Sequence, residues 1–262
     1  MKQTKIVLYK ISPDKESTRV DIDTLSAKPW DENEQESLHL YSNFIEPGNL
    51  VFDIGAHVGS KTDLFLSCGG RVVCIEPQPS CVQELYSKYG SRSDVWIEPV
   101  GLGEKKKFQE MLICSGAPTI STFSEAWAVN SSFTEHGYRW DQKIMVKIDT
   151  LDSMIQKHGV PSFCKIDAEN YELEIFKGLS QKINYLSFEV TQKMFGKTNL
   201  CLGRLIELGY RKFNFSIGGR GLFLCPEWVD INTLTARMND ASENYDLSLL
   251  WNELTGDIYA CP

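Results

Sequence analysis

The sequence predicts an α/β fold, a doubly wound and mostly parallel sheet with helices on both faces. Two observations predict it. From residue 50 to about residue 191, short apolar runs alternate with segments whose apolar residues recur at helical spacing, and strands separated by helices pair in parallel. The runs are also apolar nearly throughout, as strands covered on both faces must be. At 262 residues, with 42% hydrophobic and 24% charged side chains, the chain can bury a sizeable core.

Residues 1–49 are expected to form an N-terminal extension of strand and helix packed on the core. Its start, "MKQTKIVLYKIS", carries an apolar run interrupted by Lys10 and no small-residue cleavage site, unlike a secretory signal. Residues 31–46, "DENEQESLHLYSNFIE", read as a helix: Asp31 with Glu34 resembles a capping box, and Leu38, Tyr41 and Ile45 share a face. Pro47 and Gly48 then suit the central positions of a type II turn.

Strands follow at "LVFDIG", "RVVCIEP", "DVWIEPVGLG", "SFCKIDAE" and "NYLSFEVT", with helical patterns "KTDLFLSC", "SCVQELYSKYG", "LDSMIQKHG" and "YELEIFKGLSQ" between them. After a further helix, "NLCLGRLIELGY", the segment "RKFNFSIGGRGLFLC" reads as a hairpin that ends the sheet with an antiparallel member. Between the third strand and the next helix lies an insertion, residues 104–150, whose ends "EKKKFQEMLI" and "KIMVKIDTL" could pair as strands. Long irregular segments of this kind are more often functional than idle.

Composition excludes several functions. No apolar run approaches the roughly 20 residues of a membrane helix, and a net charge of -8 opposes broad nucleic-acid binding. The eight cysteines contain no CxxC pair and sit inside apolar runs, as small buried hydrophobes do in a reducing compartment. A cytoplasmic protein without a membrane span or nucleic-acid partner is expected. The sequence leaves its oligomeric state open.

In an open parallel sheet, ligands bind beyond the carboxyl ends of the strands. The first core strand runs into "DIGAHVGS", where Asp53, Gly55, Ala56, His57 and Gly59 form the turn into the next helix. Glycine there lets the backbone approach a ligand closely. Glu76 ends the second strand 23 positions after Asp53, where a carboxylate accepts ribose hydroxyls, and Pro77 follows it. The pattern is D-x-G-x-x-x-G rather than the G-x-G-x-x-G of a dinucleotide site. This favours S-adenosylmethionine over NAD, because an acidic residue such as Asp53 suits an ammonium and repels a phosphate. Val100 and Gly101 follow the third strand, placed to pass backbone groups along an adenine.

The segments "FDIGAHVGSKT", "CIEPQPSCVQEL", "EPVGLGE", "VKIDTLDSMI", "KIDAENYELEIFKGL" and "LSFEV" resemble, in order and separation, the signature segments of FkbM-type methyltransferases. The resemblance covers about residues 50–191. It implies a class I, Rossmann-like methyltransferase domain over residues 50–262 with a seven-stranded sheet, S-adenosylmethionine as cofactor, and a hydroxyl of a sugar, glycan or secondary metabolite as methyl acceptor. Asn170 stands where the family usually has glycine, and asparagine tolerates a left-handed backbone. His57 replaces a residue that is commonly asparagine and is expected to pack the turn.

Methyl transfer needs an aligned acceptor and a base. Asp167, Glu169 and Glu189 are the catalytic candidates, since all three lie at the ends of the fourth and fifth strands; Asp167 is the expected base, or else a cap for the following helix. The trio could instead hold Mg2+ through oxygen ligands. Glu172 and Glu174 are expected on a solvated helix face with Lys177. Trp127, His136, Tyr138, Arg139 and Trp140 in the insertion are candidates for stacking on and hydrogen-bonding to the acceptor. Two other readings stay open: a nicotinamide-dependent oxidoreductase on a similar sheet, and a methyltransferase-like module without turnover.

Overall fold

The computed structural model describes residues 7–12, 15–21, 34–218, 221–244 and 254–262. The core begins with Leu50–Ile54 (β3), preceded by the hairpin strands Val7–Ser12 (β1) and Lys15–Asp21 (β2) and by helix Glu34–Tyr41 (α1). α1 stops five residues short of the expected end, because the Ser42 hydroxyl and the Asn43 amide both donate to the His39 carbonyl and so replace the next helical turn. Asp31 lies outside the described residues. The turn at Pro47 and Gly48 forms as expected: Gly48 has φ 84°, and Asn49 N donates to the Glu46 carbonyl at 3.0 Å.

From β3 the chain alternates as the periodicity predicts, through Ser60–Ser67 (α2), Arg71–Ile75 (β4), Pro79–Tyr89 (α3) and Val95–Glu98 (β5). Pro99 has no N–H to extend the ladder, and the chain leaves the main sheet there. Gly101–Leu102 (β6), Lys107–Ile113 (β7) and Gln142–Asp149 (β8) form a separate three-stranded sheet, so the two ends of the insertion do pair. Between β7 and β8 lie the short helices Glu125–Asn130 (α4) and Ser132–Glu135 (α5).

The main fold resumes with Leu151–His158 (α6), Phe163–Ile166 (β9), Glu172–Lys177 (α7), Tyr185–Thr191 (β10), Phe195–Glu207 (α8), Lys212–Ile217 (β11), Leu222–Phe223 (β12), Ile231–Asn244 (α9) and Thr255–Cys261 (β13). The sheet order is β2-β1-β12-β11-β13-β10-β9-β3-β4-β5. Two expectations are corrected here. Among the described residues the sheet has ten strands rather than seven, and it is mixed: β10, β9, β3, β4 and β5 run parallel, while every other neighbouring pair is antiparallel. The expected β11–β12 hairpin is there, but it does not end the sheet. β12 also pairs with β1, and β13 enters between β10 and β11.

All five residues of β3 are buried, and they alternate between two cores. Leu50, Phe52 and Ile54 join the cluster made with α6, α7, α8 and α9, while Val51 joins the one under α1, α2 and α3. This two-sided burial is why the strand reads as a continuous apolar run. Stacked or tilted aromatic rings of Tyr41, Phe44, Phe163 and Tyr259 fill the second core.

Candidate active site

The carboxyl ends of β3, β4 and β9 open into a cleft of about 520 Å3, part of it open to solvent. Gly55, His57, Glu76, Pro77, Val100, Gly101, Asp167 and Glu169 line it, together with Gln78, Phe123 and Tyr171. Asp53, Ala56 and Gly59 do not. Asp53 is buried under α2, where its carboxylate accepts the Thr62 hydroxyl at 2.6 Å; burial pushes its pKa up to about 6, against the Thr62 bond. Ala56 is buried, and Gly59 caps α2.

Gly55 shows why this loop cannot carry a side chain. Its φ is 80°, and a Cβ there would lie 1.8 Å from the carbonyl oxygen of Asp167. The two strand ends are locked together at that contact, and Asp167 N also donates to the Ile54 carbonyl at 2.9 Å. His57, at φ 48°, gives its backbone N–H to Glu76.

The Glu76 carboxylate is almost wholly buried and takes one backbone N–H on each oxygen, from His57 at 2.9 Å and from Gln78 at 2.8 Å. Each oxygen keeps a free lone pair for a ligand hydroxyl. Burial outweighs both bonds and pushes the pKa up from 4.5 to about 7. Between those two values the folded chain holds a proton that the unfolded chain releases, so stability falls as pH rises through that window and levels off above it. The ligand-free protein is therefore expected to melt at a higher temperature at pH 5 than at pH 8, and Glu76→Gln to reduce that difference. An unchanged difference in thermal melts of the variant would remove Glu76 as a source.

Asp167, Glu169 and Glu189 converge as expected: each offers a carboxylate oxygen, and these oxygens all lie within 4.8 Å of one another. Burial, and then the neighbouring Asp167, raise the proton affinities of both Glu169 and Glu189. Asp167 does not cap α7, whose N-cap is Tyr171. Glu169 and Asn170 take left-handed conformations at φ 50° and 68°, so the asparagine meets the backbone demand that glycine would. Glu172 departs from expectation. It is buried, not solvated, and accepts the Ala168 N–H at 3.1 Å, while Glu174 does pair with Lys177 at 2.8 Å.

Sequence reasoning missed Lys165 and Asp257. Lys165 is wholly buried in β9, and its ammonium lies 2.7 Å from Asp257 and 3.3 Å from Asp167. Burial alone would lower its pKa, but the two carboxylates outweigh it and hold the charge firmly. A lysine inside the run "SFCKID" was the available signal, because a buried lysine requires an acidic partner.

Of the insertion residues, Trp127 is buried, its indole beside the Glu169 carboxylate. Trp140 donates its indole N–H to the Ile120 carbonyl at 2.9 Å. His136, Tyr138 and Arg139 are exposed, and Arg139 spends its guanidinium on the Thr134 and Tyr138 carbonyls of its own loop. The structure does not bring these three to the pocket.

AglP of Haloferax volcanii, a hexuronic acid methyltransferase, is 22% identical over 161 residues, 61% of this chain and 62% of that protein, so the chain spans under two thirds of that curated relative. Among solved structures, fibrillarin of Aeropyrum pernix aligns with a TM-score of 0.44 and 8% identity over 98% of this chain and 88% of its own. The precorrin-6y C5,15-methyltransferase of Geobacter metallireducens aligns at 0.41 and 13%, over 96% and 95%. The Methyltransferase FkbM domain matches residues 53–215, a span that starts within β3, ends within β11 and includes Gly55, Glu76, Asp167 and Glu189; the chain belongs to that family.

Proposed function

We propose that the chain is an S-adenosylmethionine-dependent methyltransferase acting on a hydroxyl of a sugar or a similar polyhydroxylated metabolite. The carrying observation is that one pocket joins the Gly55 cradle and the half-satisfied Glu76 carboxylate to Asp167 and Glu169. These residues fit the cofactor. Glu76 would take its ribose hydroxyls, the side-chain-free backbone at Gly55 would admit its amino-acid end, and Val100, Gly101 and Phe123 would cover the adenine. When bound, it supplies an electrophilic methyl group. AglP's action on a hexuronic acid supports a sugar acceptor.

The chain's own residues then have definite work. Asp167 takes the proton of the acceptor hydroxyl as the new bond forms. Lys165 holds that carboxylate in place through their ion pair, and the stiff contact between Gly55 and the Asp167 backbone fixes its distance from the cofactor loop. The three carboxylates would also suit Mg2+, and activity that survives EDTA would eliminate that role.

Calorimetric titration with S-adenosylhomocysteine and, in parallel, with NAD tests the reading. Micromolar binding of the former alone is expected, weakened by roughly 1.5–3 kcal/mol in Glu76→Ala, the worth of hydrogen bonds to a charged group. Binding of NAD, or of neither ligand, would overturn it.

A further inference from the structure

Part of the lining of the cofactor cleft does not belong to the main sheet. Thr119, Ser121 and Phe123 come from the insertion and share the cleft with Gly55, Glu76 and Asp167. Inside the cleft there is free room for only a few waters. A nucleoside needs more, so some of the lining must give way before a cofactor enters or leaves.

The segment free to do so can be identified from its hydrogen bonds. Residues 113–121 form a loop whose base is fixed: Leu112 and Thr122 exchange backbone bonds at 2.8 and 2.9 Å, and the Thr122 hydroxyl donates to the Glu169 carbonyl at 2.6 Å. The loop's side ties run back into the insertion, from Ser115 N to the Asp141 carboxylate at 3.0 Å and from the Trp140 indole to the Ile120 carbonyl. Its tip is loose. Ser115, Gly116, Pro118 and Thr119 are exposed, and a Cβ at Gly116 would meet nothing within 4 Å. Among the described residues, one hydrogen bond joins this loop to the main fold: Gln78 Nε2 donates to the Pro118 carbonyl at 3.2 Å.

Gln78 is placed to do this and little else. It is the N-cap of α3, a position where Ser, Thr, Asp or Asn would bond the helix end, yet its side chain makes no cap bond. The side chain is buried and spent on the loop instead. Its backbone N–H meanwhile donates to Glu76 at 2.8 Å. One residue therefore grips both the loop and the carboxylate assigned to the ribose.

We propose that residues 115–121 are a strap across the cofactor cleft, latched by the Gln78 side chain, and that the latch releases each time the cofactor passes. Only the identity of the passing ligand rests on the methyltransferase reading. The latch lies within the protein and is made whether or not a ligand is bound, so weakening it favours the open strap equally in both states. Association and dissociation then quicken together while affinity stays put. A residue that held the ligand directly would instead change dissociation and affinity.

Gln78→Met tests this, because it keeps the side chain's length, removes its donor and costs α3 no cap bond. Surface plasmon resonance on the immobilised full chain follows S-adenosylhomocysteine, and hydrogen exchange read by mass spectrometry follows residues 113–123 in the ligand-free protein. Both rate constants are expected to rise about fivefold, the scale of one neutral hydrogen bond, with Kd within about twofold. Exchange in the strap should quicken by a similar factor while the rest of the chain keeps its protection, which also shows that the variant is folded. Weaker affinity carried by dissociation alone would make Gln78 a ligand contact and overturn the latch, as would unchanged rates with unchanged exchange. No binding of S-adenosylhomocysteine, with strap exchange still responding, would sink the methyltransferase reading and leave the strap.

Discussion

Asp167→Asn is expected to slow methyl transfer by about 100-fold or more while leaving S-adenosylhomocysteine affinity within about twofold, the pattern of a lost general base. The substitution keeps the size and the hydrogen bonding of the side chain, and the backbone N–H and carbonyl that lock this strand end to β3 are untouched. What it removes is the negative charge, and with it the capacity to take a proton and the ion pair with Lys165. Single-turnover measurements with a competent acceptor, beside calorimetry of the ligand, separate the two effects. Full activity would move the base elsewhere in the trio, and lost ligand affinity would make Asp167 a binding residue.

The largest effect on stability is expected at Lys165. Lys165→Met leaves Asp257 with no counter-charge in a buried site where the ammonium had been 2.7 Å away. Breaking one side of a buried pair costs about 3–5 kcal/mol, whereas replacing both members by apolar residues is often neutral. The double variant Lys165→Met/Asp257→Leu should therefore regain most of the loss in urea denaturation. A single-variant cost below about 1 kcal/mol would show that the pair is dispensable. A double variant as unstable as the single would show that packing, not charge, was lost. Neither variant should be fully active, because Asp167 loses the cation that holds it.

Much of this site could be read from the chain, and the exceptions have physical reasons. Gly55, Glu76 and Asp167 were legible because apolar runs fix where strands end, and in a parallel sheet strand ends are where ligands sit. Asp53 was legible as a residue but not as a direction. Side chains alternate across a strand, so with Ile54 on the pocket face Asp53 must turn toward α2, and only pairing with Thr62 makes its burial tolerable. Glu172 looked solvated because a charged residue beside Glu174 and Lys177 fits a surface pattern; the left-handed turn at Glu169 and Asn170 brings it back under the Ala168 N–H instead. β13 was not legible at all. Gly256 and Asp257 interrupt its apolar pattern, and Asp257 is acceptable in a core only because of a lysine 92 residues earlier. No local reading can supply a partner at that distance.

The position of β13 also governs the order in which the molecule can assemble during synthesis. It lies between β10 and β11, so a nascent chain that has reached residue 244 owns every parallel strand and all nine described helices but cannot zip its sheet shut. Until β13 has been made, the edges of β10 and β11 that it joins lack their partner and the Lys165 ammonium waits for half of its counter-charge. Such edges are templates for mispairing, and closure across so long a sequence interval is slow. A chain that stops short of β13 would thus be an aggregation-prone intermediate, not a slightly shortened version of the same fold.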